Sequence, residues 1–154
     1  MQQLVRAAGV AFLAVLLGTQ LIRPARTNPP VDPSRTLAAR VRVTPEAAAV
    51  LDRACRDCHS NETTWPWYSN VAPISWLVID HVRSGRRHFN YSEWAGYEPD
   101  KERKLLQEIC EETRAGSMPV GSYTLVHRGA RLSEADVQAL CSWTKGAATP
   151  GGPR

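Results

Sequence analysis

Cysteine and methionine are scarce in this chain of 154 residues: there are four cysteines and two methionines, one of the latter being Met1. The scarcity excludes several readings. A zinc site usually needs two close pairs of Cys or His ligands, and only one close pair is present, Cys55 with Cys58; Cys110 and Cys141 stand alone and far apart. A thioredoxin-like redox pair is expected beside a strand-helix-strand pattern, and none surrounds Cys55. There is no low-complexity tract and no internal repeat, so the length fits one globular domain plus appendages. A nucleic-acid-binding face is also missing. The net charge is +4 and the pI about 9.1, but residues 44 to 146 carry 12 Lys and Arg against 14 Asp and Glu. The positive surplus lies outside, on Arg6, Arg23, Arg26, Arg35, Arg40, Arg42 and Arg154. No basic stretch interleaved with aromatics supports nucleic-acid binding.

What is present is Cys55-Arg56-Asp57-Cys58-His59. The spacing C-x-x-C-H is that of covalent c-type haem attachment, in which two thiols add to the porphyrin vinyl groups and the adjacent imidazole coordinates iron. Two intervening residues place both sulfurs along one edge of the ring, and a histidine directly after the second cysteine turns its imidazole under the metal. On this reading His59 is the proximal ligand of one haem c, and the alternative for the pair is zinc.

From Leu4 to Ile22 the chain is apolar apart from Arg6, Gln20 and a few small residues, which targets residues 1–22 to a membrane as an anchor or as a cleaved signal segment. No clean A-x-A site follows, which favours the uncleaved anchor; no cysteine follows that could carry lipid. Residues 23–43 read as a linker, with Pro24, Pro29, Pro30 and Pro33 and no hydrophobic period. In polyproline geometry, at about 3.1 Å per residue, it would reach up to roughly 60 Å from the bilayer. Residues 44–146 form the domain. Thr44-Pro45-Glu46 starts a helix that runs into the motif. Trp65, Trp67 and Tyr68 follow in an irregular stretch, as walls of a haem edge or as ordinary core. Ile74, Leu77, Val78 and Val82 keep helical spacing and predict a buried face, with His81 on the same stripe and Gly85 as the stop. Asp100 is expected to cap a helix carrying Leu105, Leu106, Ile109 and Cys110. Ser133-Glu134-Ala135-Asp136 is a capping box for the last helix, and residues 147–154 read as a flexible tail. Cys110 and Cys141 fall on two apolar helix faces and are either bridged or two buried free thiols.

Met118, directly before Pro119, lies in the loop between two helices and is the candidate sixth ligand, a soft thioether suited to haem iron; His81 and His127 are the alternatives. The run from Cys55 to Thr63, then Trp65-Pro66-Trp67-Tyr68-Ser69, Pro73, Ser75-Trp76-Leu77, Asn90-Tyr91-Ser92-Glu93-Trp94, Met118-Pro119 and Tyr123-Thr124-Leu125-Val126-His127 resembles the bacterial haem-binding domain family of c-type monohaem proteins. The resemblance implies an all-α, cytochrome-c-like domain on the periplasmic side of the inner membrane, with His59 and Met118 on the iron. Three roles follow for such a chain. One is a one-electron carrier between redox proteins of the periplasm or inner membrane. Another is a peroxidase-like enzyme or a gas or redox sensor with an open sixth position, for which His81, His88 and His127 are the available acid-base groups. The third is a docking module of a larger oxidoreductase, steered by its acidic surface.

Overall fold

The computed structural model describes residues 1–148, whose regular structure is all helical with no strand among them. Residues 149–154, most of the expected flexible tail, lie outside the described residues. Helix α1 (Gln2–Thr19) buries none of its residues. Among the described residues it is the one helix long and apolar enough to cross a membrane, a test that a signal segment also passes.

The core is made where α3 (Pro45–Ala54), α6 (Pro99–Arg114) and α8 (Glu134–Ala147) meet. Two of them begin where the sequence supplies a cap. Thr44 accepts from the Ala47 amide ahead of Pro45, and Ser133 and Asp136 satisfy each other's backbone amides in a capping box. At α6 the expected cap is displaced: Pro99 takes the first position behind Glu98, and Asp100 sits in the first turn, where its charge still favours the amino end. Val50 and Leu51, Leu105, Leu106 and Ile109, and Leu140 and Trp143 close on one another and on Trp94 from the 3-10 turn Tyr91–Gly96.

Two bonds fix α8. Asp136 pairs with Arg53 at 2.6 Å, two residues before the first motif cysteine. The Ser133 amide and hydroxyl, with Arg53, hold the Asp136 carboxyl down at about 2. A depressed carboxylate stabilises the fold above the ordinary carboxylate range, and that contribution fades only as pH falls toward 2. Cys110 and Cys141 form a disulfide between α6 and α8, with their Cα atoms 4.7 Å apart.

Three expectations are corrected. Residues 23–43 do not stand away from the domain. They lie along it: Asn28 donates to the Thr63 carbonyl, Arg86 to the Thr27 carbonyl, and Trp143 to the Arg42 carbonyl, while Leu37 in the short α2 (Leu37–Arg40) is 4% exposed within the core. The helix opened by Ile74 does not stop at Gly85 but runs to His88 as α5 (Ile74–His88). On α5 the buried side chains are Ser75, Ile79 and Val82, whereas Ile74 and Leu77 are half exposed. The Ile74 and Leu77 end of the stripe that includes His81 borders an open groove, and only Val82 of it is buried.

Candidate functional site

Helix α3 unwinds at Cys55, whose φ of −125° breaks the helical run. Its carbonyl then accepts from the amides of Cys58 at 3.2 Å and His59 at 3.0 Å, starting the single turn α4 (Arg56–His59). That turn leaves both thiols free and half-buried and sends His59 inward, 8% exposed.

The imidazole is held on one side. Its ring stacks on Phe89 with centroids 4.1 Å apart, and Nδ1 lies 3.3 Å from the Phe89 carbonyl. A carbonyl only accepts, so Nδ1 carries the hydrogen and Nε2 keeps its lone pair. Burial pulls the His59 pKa down to about 4, which keeps the ring neutral, the form that binds metal. Burial likewise pushes the Cys55 and Cys58 thiols up to about 11. Neither is a reactive thiolate, which argues against a disulfide-exchange pair. No cluster of three or more His, Cys, Asp or Glu side chains suited to a metal occurs among the described residues, so the zinc alternative finds no ligand set.

Two clefts open beside the motif. One, of about 460 Å³, is lined by Cys55, Phe89, Tyr91 and Ile109; the other, of about 300 Å³, by Cys58, His81, Gly85 and Tyr123. Both include Ala54, His59, His88, Met118 and Pro119. Met118 therefore shares with His59 the space that the two thiols border. Its loop is turned back onto α6, because the amides of Ser117 and Met118 both reach the Glu112 carbonyl after Gly116 takes a φ of +72°.

A third groove, of about 300 Å³, lies past Cys58 between Trp67, Tyr68, Ile74, Leu77, Val126 and His127. His127 is engaged there, with Nε2 3.2 Å from the Tyr68 hydroxyl and its ring stacked on Tyr123 at 4.1 Å. It borders neither of the clefts that include His59. Trp67 and Tyr68 border this groove, but Trp65 does not; its indole donates to Asn28 in the linker.

Several supporting residues carry no chemistry of their own. Asn61, Asn90 and Ser92 are buried together. Asn90 donates to the Asn61 side chain at 2.8 Å, Ser92 Oγ accepts from the Asn61 amide at 3.0 Å, and Asn90 Oδ1 accepts from the Ser92 amide at 2.9 Å. This ties the segment after the motif to the segment carrying Phe89, and so fixes the carbonyl that orients His59. Arg86 reaches Ser60, Thr27, Asn28 and Thr63 at 2.7–2.9 Å, so one guanidinium holds the linker to the chain that leaves the motif.

Gly85 is the closest packing point. A Cβ there would lie 2.4 Å from the Cys58 carbonyl oxygen and 3.0 Å from its carbon, and backbone cannot swing aside. Gly85→Ala is therefore expected to destabilise by about 1–3 kcal/mol, although Gly→Ala inside a helix normally stabilises by up to about 1 kcal/mol. Gly146 in α8, with nothing within 4 Å of its Cβ position, supplies the control. Thermal melts should show Gly85→Ala melting lower and Gly146→Ala unchanged or higher; equal effects would remove the steric argument.

The residues present fit a thioether-bound porphyrin. Two thiols outside any disulfide and the His59 imidazole border the two clefts, and the Tyr91 hydroxyl is buried against the Cys55 thiol. A model of the haem-binding domain family matches residues 14–146. No curated protein and no solved structure matches the chain.

Proposed function

Because this chain belongs to the haem-binding domain family, we propose that it is a one-electron carrier holding a single haem c on the periplasmic side of the bacterial inner membrane. Cys55 and Cys58 supply the thioether links, His59 Nε2 the proximal ligand and Met118 the sixth ligand. Bound there, haem supplies a one-electron iron couple, and the thioether of a Met ligand raises its potential. The protein's part is to fix the ligand. Phe89 holds the imidazole plane through its carbonyl and ring, which sets the tautomer and strengthens the nitrogen as a donor. Tyr91, Ile109 and Pro119 put apolar surface along a cleft whose rim also carries Glu108, Glu111 and Glu112. Partners are redox proteins of the periplasm or inner membrane, and α1 provides the membrane attachment.

The observation that carries this reading is the His59 contact with Phe89, which orients a buried, neutral imidazole beside two thiols that are in no disulfide. Denaturing electrophoresis with haem staining should give a stained band, and the oxidised protein should show the weak near-infrared band of a sulfur-to-iron charge transfer. Loss of the colour into acidified organic solvent would remove covalent attachment.

A second reading has an observation of its own. His81 borders one of the two clefts and His88 both, and His88 pairs with Glu108 at 3.0 Å. If the sixth position is open, these are the groups that would handle protons for a peroxidase-like reaction, or gate a diatomic gas in a sensor. A high-spin ferric spectrum and rapid CO binding by the reduced protein would favour it over the carrier.

A further inference from the structure

From Arg23 to Ala148 seven large apolar side chains are strongly exposed. One is Met118; the other six are Trp67 at 78%, Val71 at 41%, Ile74 at 51%, Leu77 at 50%, Leu125 at 70% and Val126 at 59%. Four of the six line one groove, which defines a face. Trp67, Ile74, Leu77 and Val126 wall the same groove, and Val71 and Leu125 adjoin them in the chain. An exposed apolar patch of this kind on a domain that is otherwise polar outside marks a contact surface.

The same face adjoins the end of α1. The Gln20 carboxamide, one residue past α1, makes two hydrogen bonds with Ala72, donating to its carbonyl and accepting from its amide, both at 3.0 Å. The Trp76 indole donates to the Ile22 carbonyl at 2.9 Å. Ala72 lies between Val71 and Ile74, and Trp76 precedes Leu77, so the points that tie the domain to the helix exit are within a few residues of the patch. Arg23 and Arg26 are exposed at the same exit, and Arg26 reaches Ser69 in the turn after Trp67.

We infer that this face is seated in the head-group zone of the bilayer, so that the patch formed by Trp67, Val71, Ile74, Leu77, Leu125 and Val126 contacts lipid and the domain lies against the membrane. The inference rests on the reading of α1 as an anchor. The chemistry is that of an interfacial contact. A tryptophan suits the boundary between water and acyl chain, the aliphatic side chains gain by leaving water, and arginines beside them attract anionic head groups. A protein partner covering the same patch would have to share this space with the bilayer that α1 enters.

The test uses the full, haem-loaded chain in nanodiscs of phosphatidylethanolamine and phosphatidylglycerol containing a phospholipid with a diazirine near the top of its acyl chain. After irradiation and proteolysis, lipid adducts are expected on peptides containing residues 2–22 and also on those containing residues 67–77 and 125–126. In Trp67→Glu with Val71→Glu, adducts on the patch peptides should fall at least fivefold while those on residues 2–22 remain. Adducts confined to residues 2–22 in the wild type, as a soluble protein partner for the patch would give, overturn the seating and leave the anchor standing. No adducts on either region overturn both. An unchanged patch signal in the double variant overturns the seating as well.

Discussion

Removing the disulfide, by Cys110→Ala, Cys141→Ala or both, is expected to lower the stability of the haem-loaded protein by about 3–4 kcal/mol, the chain-entropy figure for closing a loop of this size. The sequence separation is 31 residues, so the cross-link removes much of the freedom that the unfolded chain would otherwise have between α6 and α8. These are also the helices whose ends matter to the site: α6 leads into the Met118 loop, and α8 is tied through Asp136 to Arg53 beside the motif. Additivity is diagnostic here. Each single variant already breaks the bond, so the double variant should cost little more than either single one, a strongly non-additive cycle. Two independent buried thiols would instead give two small losses that sum. Denaturant unfolding of the three variants and the wild type, monitored at the haem band, separates these outcomes.

How far the fold was legible depended on whether each signal was local. The capping box at Ser133, the Thr44-Pro45 start and the C-x-x-C-H motif are complete within a few residues, and each helix starts where they stand. Spacing and compartment brought Cys110 and Cys141 forward as a pair because no other cysteines were left over. The failures share another cause. A helical stripe such as Ile74, Leu77 and Val78 says which side chains share a face but not whether protein covers it, and here that face borders a groove. A glycine after a helical run reads as a stop, yet at Gly85 the missing Cβ is what lets α5 press on the Cys58 backbone, a contact across 27 positions that no local rule contains. Prolines in residues 23–43 report a stiff backbone and not what it lies against. The linker's attachment depends on Arg86 and Trp143, far along the chain. The polar residues of Asn61 and Asn90-Tyr91-Ser92 stood out only through the family resemblance. Their buried hydrogen bonds explain the positions: polar groups this deep must be paired, and here the pairing fixes the Phe89 carbonyl against His59.

Met118→Ala is expected to abolish the near-infrared charge-transfer band of the oxidised protein, lower the reduction potential and open the iron to cyanide. Met118 borders both clefts that include His59, whereas His81 borders only one of them and His127 neither. His127 is moreover engaged by the Tyr68 hydroxyl and stacked on Tyr123, so recruiting it would break that hydrogen bond and stack. Met118 carries no such cost. Its side chain is 39% exposed and its loop is anchored by backbone bonds to Glu112, so the thioether can be aimed without disturbing the core. The alanine variant should keep its covalent haem and melt within a few degrees of the wild type in the absence of haem ligands, because the bonds that position the loop are made by main chain. His81→Ala and His127→Ala should leave band and potential in place. Should Met118→Ala retain both, with either histidine variant losing them, the sixth ligand is that histidine and the raised potential of a thioether-ligated carrier no longer follows.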